Sequence, residues 1–305
     1  MVRDRLTHTY SIVARDPETG EMGVAVQSHW FSVGSVVTWA LAGVGAVATQ
    51  ALTNPAYGPD GLGLMREGAS ANDALKALLS RDGGRAVRQV AMVDAKGGVA
   101  AHTGSRCIPE AGHIAATDFS VQANMMITDE VWPSMAKRFS QWRGSLAERM
   151  MAALEAGEEA GGDIRGRQSA ALLVVRGAST GRPWEDNLVD LRVDDHREPL
   201  EELKRLLKVH RAYQHMNMGD EAMEKEDMPL ALRHYSLAER MFPRNLEMRF
   251  WHAVTLANNG RLEDALPIFR KVFEKDEDWR ELASRLVGVG MLKVDIEQLE
   301  RILRT

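Results

Sequence analysis

The sequence predicts an α+β protein in two parts, a stack of antiparallel sheets with helices outside it and then an all-helical arm. Three observations predict this. Strand-like runs and helical stretches up to residue 198 come as strands, helices, strands, helix, strands, without the regular alternation of a doubly wound sheet. The β signal stops after Pro199. Beyond it a period of 34 residues appears, in which Ala231, Tyr235 and Ala238 return as Ala265, Phe269 and Val272.

The elements follow in order. Thr9–Ala14 and Gly23–Ser28 are rich in β-formers and flank the turn residues Asp16-Pro17-Glu18-Thr19-Gly20. Val36–Ala40 and Val44–Thr49 are short apolar runs bounded by glycines, which predicts two buried strands. Spacings of three and four between Gly61 and Leu79 predict two helices broken near Gly68. The second starts at the capping sequence Ser70-Ala71-Asn72-Asp73. Val87–Val93 and Val99–Thr103 predict a hairpin, and Phe119–Met126 another strand. Asp129–Ala156 predicts one long helix, and Ser169–Arg176 with Leu188–Val193 a last strand pair. In the arm, helices are expected near 200–210, 211–224, 229–242, 246–259, 262–275 and 279–303.

Composition narrows the function classes. The 305 residues are 45% hydrophobic and 27% charged, the profile of a globular chain rather than a disordered one. The net charge is -5 and neither part is basic, so no nucleic-acid partner is expected. A single cysteine, Cys107, excludes an internal disulfide framework and a cysteine-based zinc site. The nine histidines are scattered without zinc spacing, so no metal or other cofactor is expected. No run of 18 uninterrupted apolar residues occurs and the first eight residues lack a signal-peptide core, which predicts no membrane segment and a cytoplasmic location.

Two motifs fail their context tests. Gly177-Ala178-Ser179-Thr180-Gly181 matches a nucleophile elbow, but Arg182-Pro183 and a strand follow where a helix is required. Gly43-Val44-Gly45-Ala46-Val47-Ala48 matches a dinucleotide fingerprint outside any βαβ unit.

Six blocks, in order, carry a resemblance: Thr9–Asp16, Gly45–Ala51, Thr103–Ser105, Ser120–Met125, Gly166–Ala170 and Asp190–Asp195. Over about residues 9–210 the chain resembles the N-terminal nucleophile (Ntn) hydrolase superfamily, and within it a conserved, largely uncharacterised bacterial family. The resemblance implies a four-layer αββα sandwich over 9–198 preceded by a leader or propeptide-like segment over 1–8; the arm over 199–305, read as tetratricopeptide-like from its 34-residue period, lies outside the shared region. It also implies a nucleophile at the head of the first strand, here Thr9. A hydroxyl needs a base to take its proton, and an N-terminal Thr carries its own. The α-amino group has a pKa of about 7.7–8.0, against about 10.4 for lysine. The first lysine of the chain is Lys76, so the sequence departs from proteasome-like members, which place a lysine in the early strands. An amidohydrolase acting on a small or peptide-like amide is the expected activity, once residues 1–8 are removed. Asn124 is the candidate oxyanion donor. Thr49, Gln50, Ser28 and His29 are candidate substrate-binding residues, and Arg167, oriented by Asp163, is expected to hold a carboxylate. The alternative is a non-catalytic protein of the same fold, acting through residues 199–305 on a protein partner or a second copy.

Overall fold

The structure is a computed structural model that describes the backbone of residues 5–7 and all of residues 9–305. Most of the expected 1–8 leader therefore lies outside the described residues. The chain forms two compact units that divide between Leu206 and Leu207.

The first unit is built on two antiparallel sheets. One contains β1 (Arg5–Thr7), β4 (Thr38–Leu41), β5 (Gly45–Thr53), β6 (Arg88–Asp94) and β7 (Val99–Thr103), in the order β1-β5-β6-β7 with β4 also paired to β5. The other contains β2 (Thr9–Arg15), β3 (Met22–Ser28), β8 (Gly112–Ala116), β9 (Phe119–Ala123), β10 (Ser169–Val175) and β11 (Asn187–Val193), in the order β11-β10-β3-β2-β9-β8. The sheets face each other through β2, β3, β5, β6 and β9. Side chains alternate across a strand. Val13 and Val24 from one sheet accordingly share a buried cluster with Ala48, Ala91 and Val93 from the other. The opposite parity of the first sheet, with Val47, Val90 and Met92, packs under α2 (Tyr57–Arg66) and α3 (Ala71–Arg81). The outer face of the second sheet is covered by α4 (Val131–Gln141) and α5 (Leu146–Glu159). Gly58 is fixed by close approach, since a Cβ there would lie 2.2 Å from the Trp39 ring.

Several expected boundaries move. Val36 and Val37 belong to a single helical turn, α1 (Gly34–Val37), and the strand begins only at Thr38. The strand from Phe119 stops at Ala123, because Met125 takes a left-handed φ of 62°. The single helix expected over 129–156 is two helices. Gly144 turns the chain at φ 137°, and Ser145 and Glu148 then form a reciprocal capping box at the start of α5. β8 is an additional strand; its pattern is half-exposed and lacks a buried apolar run. A short helix, α6 (Pro183–Asp186), follows the 177–181 loop, where Ser179 Oγ and Thr180 Oγ1 both donate to Asp186. That loop is not a nucleophile elbow.

The second unit is wholly helical. α7 (Pro199–Glu224) begins before Leu207 and runs unbroken where two helices are expected, because no proline lies inside it. Its Gly219 lets Tyr235 approach, since a Cβ would meet the ring at 2.8 Å. α8 (Met228–Met241), α9 (Leu246–Asn258) and α10 (Leu262–Phe273) follow, with α9 packed against both neighbours. The recurring positions Ala231, Tyr235, Ala238, Ala265, Phe269 and Val272 are all buried. The last expected helix is α11 (Asp278–Gly288) and α12 (Ile296–Leu303), separated at Gly290 with φ 73° and restarted by a capping box of Asp295 and Gln298. No helix among the described residues is long and apolar enough to cross a membrane.

Candidate functional site

Thr9 opens β2 in the middle of the second sheet. It pairs with Ser28, which pairs in turn with Ser169. Three hydroxyl residues thus lie side by side across three strands, with one parity and all buried. Two residues earlier the chain is still in the other sheet, where Thr7 pairs with Ala51. Thr9 therefore begins where the backbone passes from one sheet to the other.

A buried polar network joins the sheets at this point. Gln50 and Gln89 are cross-strand partners on the inner face of the first sheet, and Ser11 and Gln122 are partners on the inner face of the second. The Gln89 Oε1 accepts from Gln50 Nε2 at 2.7 Å and from Asn124 Nδ2 at 2.8 Å. Its Nε2 donates to Thr103 Oγ1 at 2.9 Å and to the Ala123 carbonyl at 2.8 Å. Ser11 Oγ donates to Gln50 Oε1 and accepts from Gln122 Nε2, both at 2.6 Å. The Thr9 carbonyl receives the Asn124 backbone N–H at 3.1 Å, Gln50 Nε2 at 3.1 Å and Asn124 Nδ2 at 3.4 Å. Each amide orientation is set by its neighbours, because an amide donates only from nitrogen. The residues after Gln50 and Asn124, Ala51 and Met125, have φ of 69° and 62°, a costly region for side-chain-bearing residues.

The sequence candidates divide accordingly. Thr9, Asn124 and Gln50 come together. Both Asn124 Nδ2 hydrogens already have acceptors in Gln89 and Thr9. Ser28 lies beside Thr9 in the same row. Thr49 points the other way, and its Oγ1 donates to the Asn54 carbonyl at 3.1 Å. His29 and Arg167 lie exposed at the strand ends. Asp163 does not orient Arg167: it binds Arg165 Nε at 3.0 Å and the His29 backbone N–H at 3.3 Å. The local turn to Gly166 brings Arg165 back onto it. Arg167 instead pairs with Glu198 and, at 3.2 Å, with Glu158. The Tyr10 hydroxyl donates to the same Glu158 at 2.7 Å, and burial followed by that carboxylate pushes the Tyr10 phenol far up. His29, Arg167, Gln168, Asp195, His196 and Arg197 line an open cleft of about 720 Å³. Among the described residues no group of three or more His, Cys, Asp or Glu is placed to hold a metal ion.

Sequence reasoning missed Gln89, Gln122 and Thr103. A signal was available. Gln50, Gln89 and Gln122 are large polar residues with inward parity on apolar strands, which requires partners across the stack.

The network reaches the surface through Thr103. Its Oγ1 accepts from Gln89 and shares a hydrogen bond of 2.8 Å with His113 Nδ1. Burial, and then His102, hold the His113 imidazole below its ordinary value of 6.5. As pH falls, the unfolded chain takes up this proton first. The contribution is present above about pH 6.5 and is lost as pH drops through that value toward the lowered one. A urea midpoint that declines from about pH 7 to about pH 5, with a shallower decline in His113→Gln, is expected. Equal declines in the two proteins would contradict it.

Comparison with known proteins places this geometry in a family. Residues 9–203 match the Family of unknown function (DUF1028). The crystal structure of protein SPO2555 from Silicibacter pomeroyi, itself assigned to DUF1028, is 33% identical, with a TM-score of 0.60 over 66% of this chain and 88% of that one. No curated protein matches the chain. The matched span takes in the Thr9 row, the amide network and the strand-end cleft, and the chain belongs to the DUF1028 family.

Proposed function

We propose that the first unit is an Ntn-type αββα sandwich and an amidohydrolase, with Thr9 as nucleophile after removal of residues 1–8. The observation that carries the reading is the position of Thr9. It heads a central strand at the crossing between two stacked sheets, beside a network of amides that fixes its carbonyl through three donors. The helix pairs α2/α3 and α4/α5 on the outer faces fit the same architecture.

In this reading the freed α-amine of Thr9 takes the Oγ proton as the oxygen attacks an amide carbonyl. The C–N bond then breaks, the amine leaves with a proton, and water hydrolyses the acyl-threonine. Gln50 and Asn124 hold the strand head in register, and their hydrogen bonds hold the adjoining left-handed residues Ala51 and Met125 in place. While residues 1–8 are attached, Thr9 has no free amine and is fully buried. The unprocessed chain is a latent form.

A second reading has its own support. The fully satisfied network and the buried Thr9 suit a rigid scaffold, with residues 207–305 as a tetratricopeptide-like interaction arm. A β-lactone probe with peptide mapping separates the two, because an activated Thr9 is acylated and the labelled residue is read directly. The hydrolase reading predicts a label on the peptide that begins at Thr9, abolished in Thr9→Ala. Processed protein that takes no label on Thr9 would favour the scaffold.

A further inference from the structure

We infer that the cleft at the ends of β3, β10 and β11 binds a carboxylate, the acid end of an amide substrate presented to Thr9; the substrate assignment rests on the hydrolase reading above. The lining comes from three consecutive strand ends: His29 after β3, Arg167 and Gln168 before β10, and Asp195, His196 and Arg197 after β11. These ends are tied together by backbone hydrogen bonds. The Gln168 N–H donates to the Ser28 carbonyl at 3.0 Å, and the His196 N–H to the Gln168 carbonyl at 2.8 Å.

The donors can be assigned one by one. His196 Nδ1 accepts the Glu198 backbone N–H at 3.0 Å, so the neutral ring carries its hydrogen on Nε2 and is a donor there. Arg197 has neither an ion-pair nor a hydrogen-bond partner among the described residues, and its guanidinium is the uncompensated charge of the lining. Arg167 is held by Glu158 and Glu198, so it supplies shape and orientation more than net charge. The one carboxylate of the cleft, Asp195, is turned to Gln168 Nε2 at 3.1 Å. A cleft offering a free guanidinium and the His196 Nε2 donor suits an oxyanion. On its other side Arg167 borders a separate pocket of about 220 Å³ lined by Glu155, Glu158, Glu159, Glu198 and Glu201, which repels the same ligand.

Position makes the oxyanion part of a substrate. Thr9 pairs with Ser28, and the His29 backbone follows directly, so the near end of the cleft begins one residue beyond the Thr9 row, about 4 Å along the chain. A carboxylate a few bonds from an amide, as in an N-acyl amino acid, suits that spacing. A flat carboxylate also matches the two-donor edge of Arg197.

The test is a titration of the full chain followed by the histidine ring resonances, assigned with His29→Gln and His196→Gln. The probes are N-acetylglycine, acetamide and inorganic phosphate, each alone. Saturable shifts of His29 and His196 with N-acetylglycine are expected, with none from acetamide, and Arg197→Gln is expected to weaken binding about tenfold or more. No turnover is needed, so a chain inert as a hydrolase still reports the site. Absence of saturation, equal binding by Arg197→Gln, or saturation by phosphate alone would each overturn the carboxylate assignment.

Discussion

Thr9→Ala is expected to lower amide hydrolysis by at least about 1,000-fold, whereas Thr9→Ser retains measurable turnover. The alanine variant keeps the α-amine of the mature chain but has no oxygen to attack with. The serine variant keeps both groups and loses one methyl. Thr9 is fully buried on the inner face, so the methyl is packed and its loss is expected to cost stability by about 1 kcal/mol. That modest change cannot produce a thousandfold loss of rate by itself. The rate should also rise with pH and level off above about 7.7–8.0, where the amine becomes neutral. Wild-type hydrolysis in Thr9→Ala would remove the nucleophile from the account.

Gln89→Leu is expected to have the largest effect on stability. Leucine is close to glutamine in volume, so packing survives while every hydrogen bond of the side chain is lost. Gln50 Nε2 and Asn124 Nδ2 lose their shared acceptor, and Thr103 Oγ1, Gly112 O and Ala123 O lose a donor. A buried polar group left without a partner costs about 1–3 kcal/mol. Some of these groups keep a second partner: Gln50 Nε2 retains the Thr9 carbonyl, and Thr103 retains His113. A total of about 4 kcal/mol follows, read as a fall of roughly 10 °C in the melting transition of the first unit. Thr49→Val, on the opposite face of the neighbouring strand, loses one hydrogen bond and is expected to cost about 1 kcal/mol. Equal effects of the two substitutions would mean that the network does not hold the sheets together.

Much of the fold was legible because the chain obeys local rules. Strands β2, β3, β6, β7 and β10 fall where β-branched and apolar runs are bounded by turn residues. The helix after Ser70 starts at its cap, where Ser70 Oγ accepts the Asp73 N–H. Other elements were hidden for physical reasons. β8 is half-exposed and Gly-bounded, and no local signal marks a strand whose ladder pairing is with β9 alone. The break between α4 and α5 was written as Gly144-Ser145 with Glu148, a cap masked by continuous helical periodicity on both sides.

The site was legible residue by residue and opaque as an arrangement. Thr9, Gln50 and Asn124 stood out individually, yet Gln89, which connects Gln50 and Asn124, sits in an ordinary apolar hairpin. Asp163 is four residues from Arg167, and sequence proximity suggested a pair. The fold turns Asp163 toward Arg165 and gives Arg167 to two glutamates, one of them, Glu198, 31 positions away. Inter-sheet contacts of that kind depend on which strands stack, and local periodicity does not encode stacking.

The most direct test of the central claim is the intact mass of the purified protein together with its N-terminal sequence. The account predicts a mature chain beginning Thr-Tyr-Ser, with residues 1–8 removed and Thr9 carrying a free amine. A mature protein that still begins at Met1 or Val2 would leave Thr9 in an internal peptide bond and contradict the hydrolase mechanism.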